Sequence, residues 1–174
     1  MFGCRWDDGI VSSTARYDGL ADWYEGVAAP SAEFSRDAIV GLLGQRGGLC
    51  LDLGCGTGLY GSMLADAGRE VVGIDVSLDQ LRYAKSREAV AVADATQLPF
   101  RDRSFDDVAC IWVHGDLDDL PAALAEVTRV LRSGGRLLLY GVHPFFNGPC
   151  VENREDGAIA HAAARAARRA GSTL

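Results

Sequence analysis

The sequence predicts an α/β fold, an open and mainly parallel sheet with helices on both faces. Three observations carry that prediction. Short apolar runs recur along the chain and are continuous rather than alternating, as strands covered on both faces require. Stretches with helical spacing and capping signals separate these runs. The first run exits into a glycine-rich loop within LDLGCGTGLYG at 51–61. In such sheets a ligand belongs beyond the carboxyl ends of the strands.

The elements follow in order. Residues 1–30 are polar and aromatic, with Trp6, Tyr17, Trp23 and Tyr24. Within them, RYDGLADWYEG at 16–26 predicts a short amphipathic helix. Ser31 is placed to cap a helix over 32–43 that carries Phe34, Ala38, Val40, Leu42 and Leu43. GQRGG at 44–48 ends it, and the apolar run 49–53 is the first strand. A helix is expected over 59–67, with Gly68 just past its end. The second strand, 71–74, runs into Asp75. Ser77 and Gln80 form a capping-box pair before a helix reaching Lys85. Ala89 to Ala93 is the third strand, and 105–113 contains the fourth. Asp118 or Asp119 caps a helix over 121–131, with Pro121 in its first turn. After the turn Ser133-Gly134-Gly135, residues 137–142 form the fifth strand.

Composition narrows the function. The chain has 174 residues, 48 % of them hydrophobic, enough for one domain with its own core. Lys and Arg number 17 against 24 Asp and Glu, a net charge of −7. That balance argues against a nucleic-acid partner bound through a broad basic surface. No run approaches the roughly 20 apolar residues that span a bilayer, so no membrane partner is expected. The first residues lack the apolar core of a signal peptide. The five cysteines are irregularly spaced, with no zinc pattern. Reduced thiols in the cytoplasm and no metal are the expectation.

The glycine loop holds the chemistry. Gly54, Gly56 and Gly58 permit a tight turn and let a ligand approach the backbone. Gly56 to Gly61 also matches the dinucleotide pattern G-x-G-x-x-G, and Asp75 sits where a ribose-binding acid belongs. A nicotinamide-dependent oxidoreductase is therefore one reading. Asp52, two residues before the first loop glycine, is a like charge for a pyrophosphate and an attraction for a cation. With Asp94 it gives three acids at three successive strand ends. That set suits a ligand with a cation, a ribose diol and an adenine.

LDLGCGTG, GIDVS, ADATQLPFRDRSFDDV and EVTRVLRSGGRLLL, in this order, resemble a class I S-adenosylmethionine-dependent methyltransferase of the small-molecule type. The resemblance implies a Rossmann-like domain over 31–146, a lid over 1–30, and a small-molecule methyl acceptor. It implies that Gly54, Gly56 and Gly58 wrap the methionine part of the cofactor, with Asp52 near its ammonium. Asp75 would then bind the ribose, Val76 and Leu81 flank the adenine, and Asp94 and Ala95 meet its amino group. Tyr17 or Tyr24 would be the lid residue. His143, then His114, is the candidate base where an acceptor must lose a proton, and Phe145 and Phe146 are candidates to line the acceptor pocket. The Ala- and Arg-rich tail at 147–174 departs from the family, in which a final strand hairpin is expected. It shows no pair of strand-like runs, which leaves the fifth strand as an edge open to self-association. A shortened, non-catalytic cofactor-binding fold is the remaining alternative.

Overall fold

A computed structural model describes residues 15–141, 151–153 and 159–161. The chain divides into two compact units, 1–140 and 141–174. In the first unit, helix α1 (Ala21–Leu43) precedes strand β1 (Gly48–Leu53). Helix α2 (Gly61–Asp66), strand β2 (Arg69–Asp75), helix α3 (Leu78–Ala84) and strand β3 (Ala89–Val92) follow. Strand β4 (Phe105–Ile111), helix α4 (Leu120–Val130) and strand β5 (Leu131–Tyr140) complete it. The five strands pair parallel in the order β3-β2-β1-β4-β5. The chain thus winds outward from β1 in one direction and then restarts at β4 in the other. That reversal opens a crevice at the carboxyl ends of β1 and its neighbours.

Residue alternation explains why both sheet faces are covered. Leu51 and Leu53 of β1 and Val108 and Cys110 of β4 pack with Ala123, Val127 and Val130 of α4. Their neighbours Cys50, Ala109 and Ile111 pack with Ile39 and Leu43 of α1 and Met63 and Leu64 of α2. Leu81 and Ala84 of α3 join Cys55, Val90 and Val92. Each buried Leu, Ile or Val contributes about 1.5–3 kcal/mol relative to exposure. Two apolar layers therefore hold β1 in the centre, and with it the start of the glycine loop.

Several boundaries differ from the sequence expectations. α1 runs unbroken through Pro30, so Ser31 lies inside the helix rather than capping one. The Pro ring removes one donor. The helix nevertheless packs through Ala21, Ala32, Ile39 and Leu43, all buried. The boundary expected between 30 and 31 thus falls within α1. Gly44 ends it, with a φ of 64° and its N–H on the Val40 carbonyl, 2.9 Å. α2 begins at Gly61, two residues later than expected, after a turn through 57–60. Asp119, not Asp118, caps α4: its Oδ1 accepts from the Ala122 N–H at 2.9 Å. Where no strand pair was expected, Val151–Asn153 (β6) and Ile159–His161 (β7) pair antiparallel as a separate two-stranded sheet.

A buried charge cluster fixes α1 to the amino ends of the strands. Asp107 of β4 takes Arg69 Nε at 3.0 Å and Arg136 Nε at 2.9 Å. Both guanidinium groups also donate to the Leu43 carbonyl at the end of α1, 2.8 and 2.9 Å. Cations at a helix carboxyl end also favour its dipole.

Candidate functional site

The glycine loop follows β1 because only glycine fits the turn. Gly54, Gly56 and Gly58 have φ of 70°, 55° and 77°. A Cβ added at Gly54 would stand 2.4 Å from Val113 Cγ2, and one at Gly58 would stand 3.0 Å from Ala84 Cα. Gly54 thus lets the residue after β4 approach the loop, and Gly58 lets α3 do so. Gly56 offers its N–H to Asp75 Oδ2 at 2.9 Å, which ties the loop to the end of β2.

Asp75 is the last residue of β2, and its second oxygen accepts the Ser77 N–H at 2.9 Å. Each oxygen keeps a lone pair for a further donor. Asp75 therefore takes the amide that Gln80 would hold in a full capping box. Ser77 Oγ still accepts from the Gln80 N–H at 3.2 Å, while the Gln80 amide reaches the Tyr17 carbonyl, 3.2 Å. Asp52 lies within β1, 2 % exposed, and its Oδ2 has no hydrogen-bond partner among the described residues. Burial, helped by the Asp75 charge, pushes the Asp52 carboxyl well above the usual range. Beneath the loop Glu88 is equally unpartnered at both oxygens. It seats where Cβ atoms on Gly58, Gly61 and Gly73 would meet it at 2.7–3.2 Å. Burial and then the Asp52 charge push its carboxyl up to about 9.

A cleft of about 280 Å³ opens at the carboxyl ends of the strands. Gly54, Asp75, Val76, Asp94, Ala95 and Tyr17 line it, together with Ile74, Ala93 and Val113. Asp94 Oδ1 accepts both the N–H and the hydroxyl of Thr96 at 2.8 Å, which shapes the turn after β3. Asp116, Asp118 and Asp119 add acid from the loop after β4, and Arg16 is the one basic residue lining the cleft among the described residues. Arg16 is held by Asp118 and reaches Asp116 at 3.9 Å. The cleft therefore favours a cationic ligand with apolar flanks.

Tyr17, just before α1, and Tyr24 and Glu25, in its first turns, flank one side of the site. Tyr17 donates to Asp116 Oδ2 at 3.1 Å, and its ring meets that of Tyr24 edge to face at 5.9 Å. Tyr24 lies against Gly56, and burial pushes its phenol up to about 12. Glu25 receives both terminal nitrogens of Arg87 at 2.7 and 2.8 Å, and Arg87 also holds the Thr57 carbonyl at 2.7 Å. Beyond β4, Trp112 has a φ of 64°, a strained backbone costing about 1–2 kcal/mol for a non-glycine residue. Its ring stands edge to face with Tyr140 at 5.7 Å.

The structure brings most of the expected site together and places some residues elsewhere. Asp52, Gly56 and Gly58 lie behind or around the loop rather than on the cleft wall. Leu81, expected beside the adenine, is 4 % exposed and packs with Cys55 and Ala84 in the core. The helical period turns it inward, and Ile74 and Ala93 line the cleft. His114 is half-buried and follows the cleft-lining Val113 without lining the cleft itself. His143, Phe145 and Phe146 lie outside the described residues. Asp116 and Thr96 went unread in the sequence. HGDLDDL, an acidic run directly after a buried strand, was the signal for the first.

The methyltransferase-domain sequence pattern matches residues 51–139, just over half the chain. The chain belongs to the methyltransferase-domain family. Its motifs are of the class I, S-adenosylmethionine-dependent kind, and the five-stranded parallel sheet is the fold of that class. A demethylmenaquinone methyltransferase of Renibacterium salmoninarum is 40 % identical over 117 residues, 65 % of this chain and 48 % of that protein. A malonyl-[acyl-carrier protein] O-methyltransferase of Serratia marcescens is 36 % identical over 115 residues, 62 % of this chain and 45 % of that one. Among solved structures, one from Thermotoga maritima described as a "SAM-dependent methyltransferase, possible histamine N-methyltransferase" has a TM-score of 0.61. It is 27 % identical, with 70 % of this chain and 57 % of that chain covered. The chain spans about half the length of these two curated relatives. The methyltransferase motifs thus coincide with β1 to β5 and with the loops that build the cleft.

Proposed function

We propose that this methyltransferase-family chain binds S-adenosylmethionine in the cleft and transfers its methyl group to a small-molecule acceptor. The observation that carries it is Asp52, a buried carboxylate with an oxygen unpartnered among the described residues, at the root of a loop in which Gly54 and Gly58 leave no room for side chains. An ammonium group satisfies such an oxygen, whereas a pyrophosphate meets a like charge. The donor set fits the rest of the cofactor. Asp75 keeps acceptor capacity for a ribose diol, Val76 and Ile74 offer an apolar flank, and Asp94 with Ala95 lies at the far cleft wall.

S-adenosylmethionine supplies a methyl group already activated on a sulfonium sulfur. The chain's own residues therefore have to position and exclude water rather than activate. Tyr17 and Tyr24 cover the loop, and their neutral phenols keep that cover uncharged at physiological pH. Where an acceptor must lose a proton, His143 is the first candidate to take it, and His114, beside the cleft-lining Val113, is the second. The names of the relatives support acceptors that are small molecules or carrier-borne acyl groups.

We also infer a cytoplasmic setting, supported by Cys50, Cys55 and Cys110, which are free and buried. No described helix is long and apolar enough to cross a membrane. Self-association through β5 is supported by its terminal place in the sheet and by Leu137 and Leu139, 36 % and 49 % exposed. Calorimetric titration with S-adenosylhomocysteine and, separately, with NAD tests the central reading. Binding of the first and not the second is expected; the reverse overturns it.

A further inference from the structure

We propose that Glu88 completes the ammonium subsite at Asp52: the two carboxyls form one proton-holding pair, which gives up a proton to solvent when the cofactor's ammonium group arrives. The proposal rests on the S-adenosylmethionine reading, in which Asp52 alone met that group.

The pair follows from the register of the sheet. Asp52 of β1 is the Cα partner of Gly73 of β2. Neighbouring strands lie about 4.8 Å apart, and paired residues of a parallel sheet point to the same face. A side chain at position 73 would therefore stand directly beside Asp52, and glycine supplies none. Glu88, the residue before β3, fills that place. Its Oε1 lies 3.0 Å from where a Gly73 Cβ would be, and its Oε2 lies 2.7 Å from that of Gly61. Gly58 clears the third side, at 3.2 Å from Oε1.

No cation balances the pair. Asp52 Oδ2 and both Glu88 oxygens are buried without a hydrogen-bond partner among the described residues. Arg87 stands next to Glu88, but its terminal nitrogens go to Glu25 of α1 and to the Thr57 carbonyl. The Cys55 thiol, which also borders the Gly73 position, is kept neutral by burial. Asp75, at the end of β2, adds a like charge for Asp52. Two adjacent buried carboxyls facing no cation do not both ionise at neutral pH, so the pair keeps a proton. Burial and then the Asp52 charge hold the one on Glu88 up to about 9. A unit positive charge about 8 Å away lowers a carboxyl's proton affinity roughly thirtyfold at an effective dielectric of about 20. With an ammonium group at Asp52, the O–H bond of the pair breaks and its proton passes to solvent, while the ammonium keeps its own protons. A ligand that releases a proton binds more tightly as pH rises.

The experiment counts protons. S-adenosylhomocysteine and 5′-methylthioadenosine, which shares the adenosyl thioether but lacks the ammonium group, are titrated calorimetrically into the full chain at pH 7 and pH 8. Each titration is run in two buffers of different ionisation enthalpy, and the dependence of the heat on the buffer gives the protons released. At pH 8, S-adenosylhomocysteine should release about half a proton more from the parent chain than from Glu88→Gln. The parent's affinity should also rise roughly threefold more between pH 7 and pH 8 than that of the variant. Methylthioadenosine should release no proton from either. Glu88→Gln keeps the volume of the side chain, and a purely structural role for Glu88 would change affinity without changing the proton count. Equal release from parent and variant overturns the proposal, as does equal release by the two ligands. Should Glu88→Gln fail to fold, the comparison of the two ligands on the parent chain decides by itself. Binding of S-adenosylhomocysteine without the extra release overturns this proposal alone, whereas its failure to bind the parent chain at either pH refutes the S-adenosylmethionine reading and this proposal with it.

Discussion

Asp75 binds two backbone amides with two oxygens and still has lone pairs facing the cleft. Asp75→Ala removes a charged acceptor for ribose hydroxyls and also frees the Gly56 amide. Hydrogen bonds to a charged group contribute about 1.5–3 kcal/mol, so S-adenosylhomocysteine affinity should fall roughly tenfold to a hundredfold, read by calorimetry. Asp52→Asn keeps the shape and removes the charge, so it should weaken binding of the same ligand while leaving the fold intact. Unchanged affinity in both variants would mean that the ligand does not lie across β1 and β2. Glu88 sets a different expectation, on stability. Its folded carboxyl holds its proton to about 9, whereas an unfolded Glu releases it near 4.3. Between those values the folded chain binds more protons, so stability falls as pH rises through that window. Asp52, raised for the same reason, adds in the same direction. Thermal unfolding at pH 5, 7 and 9 should show this decline. Glu88→Gln, neutral throughout, should flatten it; a decline of equal size in that variant would show that Glu88 is not its source.

At the scale of elements, the Arg69–Asp107–Arg136 cluster joins α1, β2, β4 and β5 at one end of the sheet. Arg69 and Asp107 have side chains with 0 % and 1 % exposure. Asp107→Ala leaves the Arg69 charge buried without its counter-ion, and breaking such a pair costs about 3–5 kcal/mol. Denaturant unfolding should register that loss, while Asp102→Ala, which removes an exposed partner of Arg129, should cost under about 1 kcal/mol. Equal losses in the two variants would contradict the weight given to burial. The same cluster marks what the sequence could and could not disclose. The strand runs were legible because both sheet faces are apolar, so Leu51, Ile74 and Val108 stand in unbroken hydrophobic stretches. The charges at Arg69, Asp107 and Arg136 look like surface residues until pairing brings three strands together. Pro30 misled in the opposite way. Proline usually marks a helix start, and packing of Ala21, Ala32 and Ile39 carries α1 through it. Asp52, Asp75 and Asp94 were legible because each sits at a strand end beside glycine or a turn. Glu88 was not, since its place depends on which glycines the fold brings alongside it.

For the whole first unit, the strand order makes β5 one of the two terminal strands of a parallel sheet, β3 being the other. A parallel edge presents unpaired N–H and C=O groups in a row, a template for pairing with another strand. On β5, which pairs with no second strand among the described residues, those groups lie beside Leu137 and Leu139, which are exposed, and close to the exposed indole of Trp112. An antiparallel meeting of two β5 strands would satisfy both edges and bury Leu139 from each copy. Full burial of a leucine contributes about 1.5–3 kcal/mol, and two copies bring two such residues to one small interface. Size-exclusion chromatography with light scattering should therefore give a mass above that of one chain at high protein concentration and approach it on dilution. Leu139→Lys places a like charge on each copy at the shared edge, a device by which edge strands resist pairing. It should shift the equilibrium to monomer without lowering the affinity for S-adenosylhomocysteine, because Leu139 lies outside the cleft lining. A chain that stays monomeric at every concentration would refute self-association through β5. A Leu139→Lys variant that associates as the parent does would move the contact to another surface.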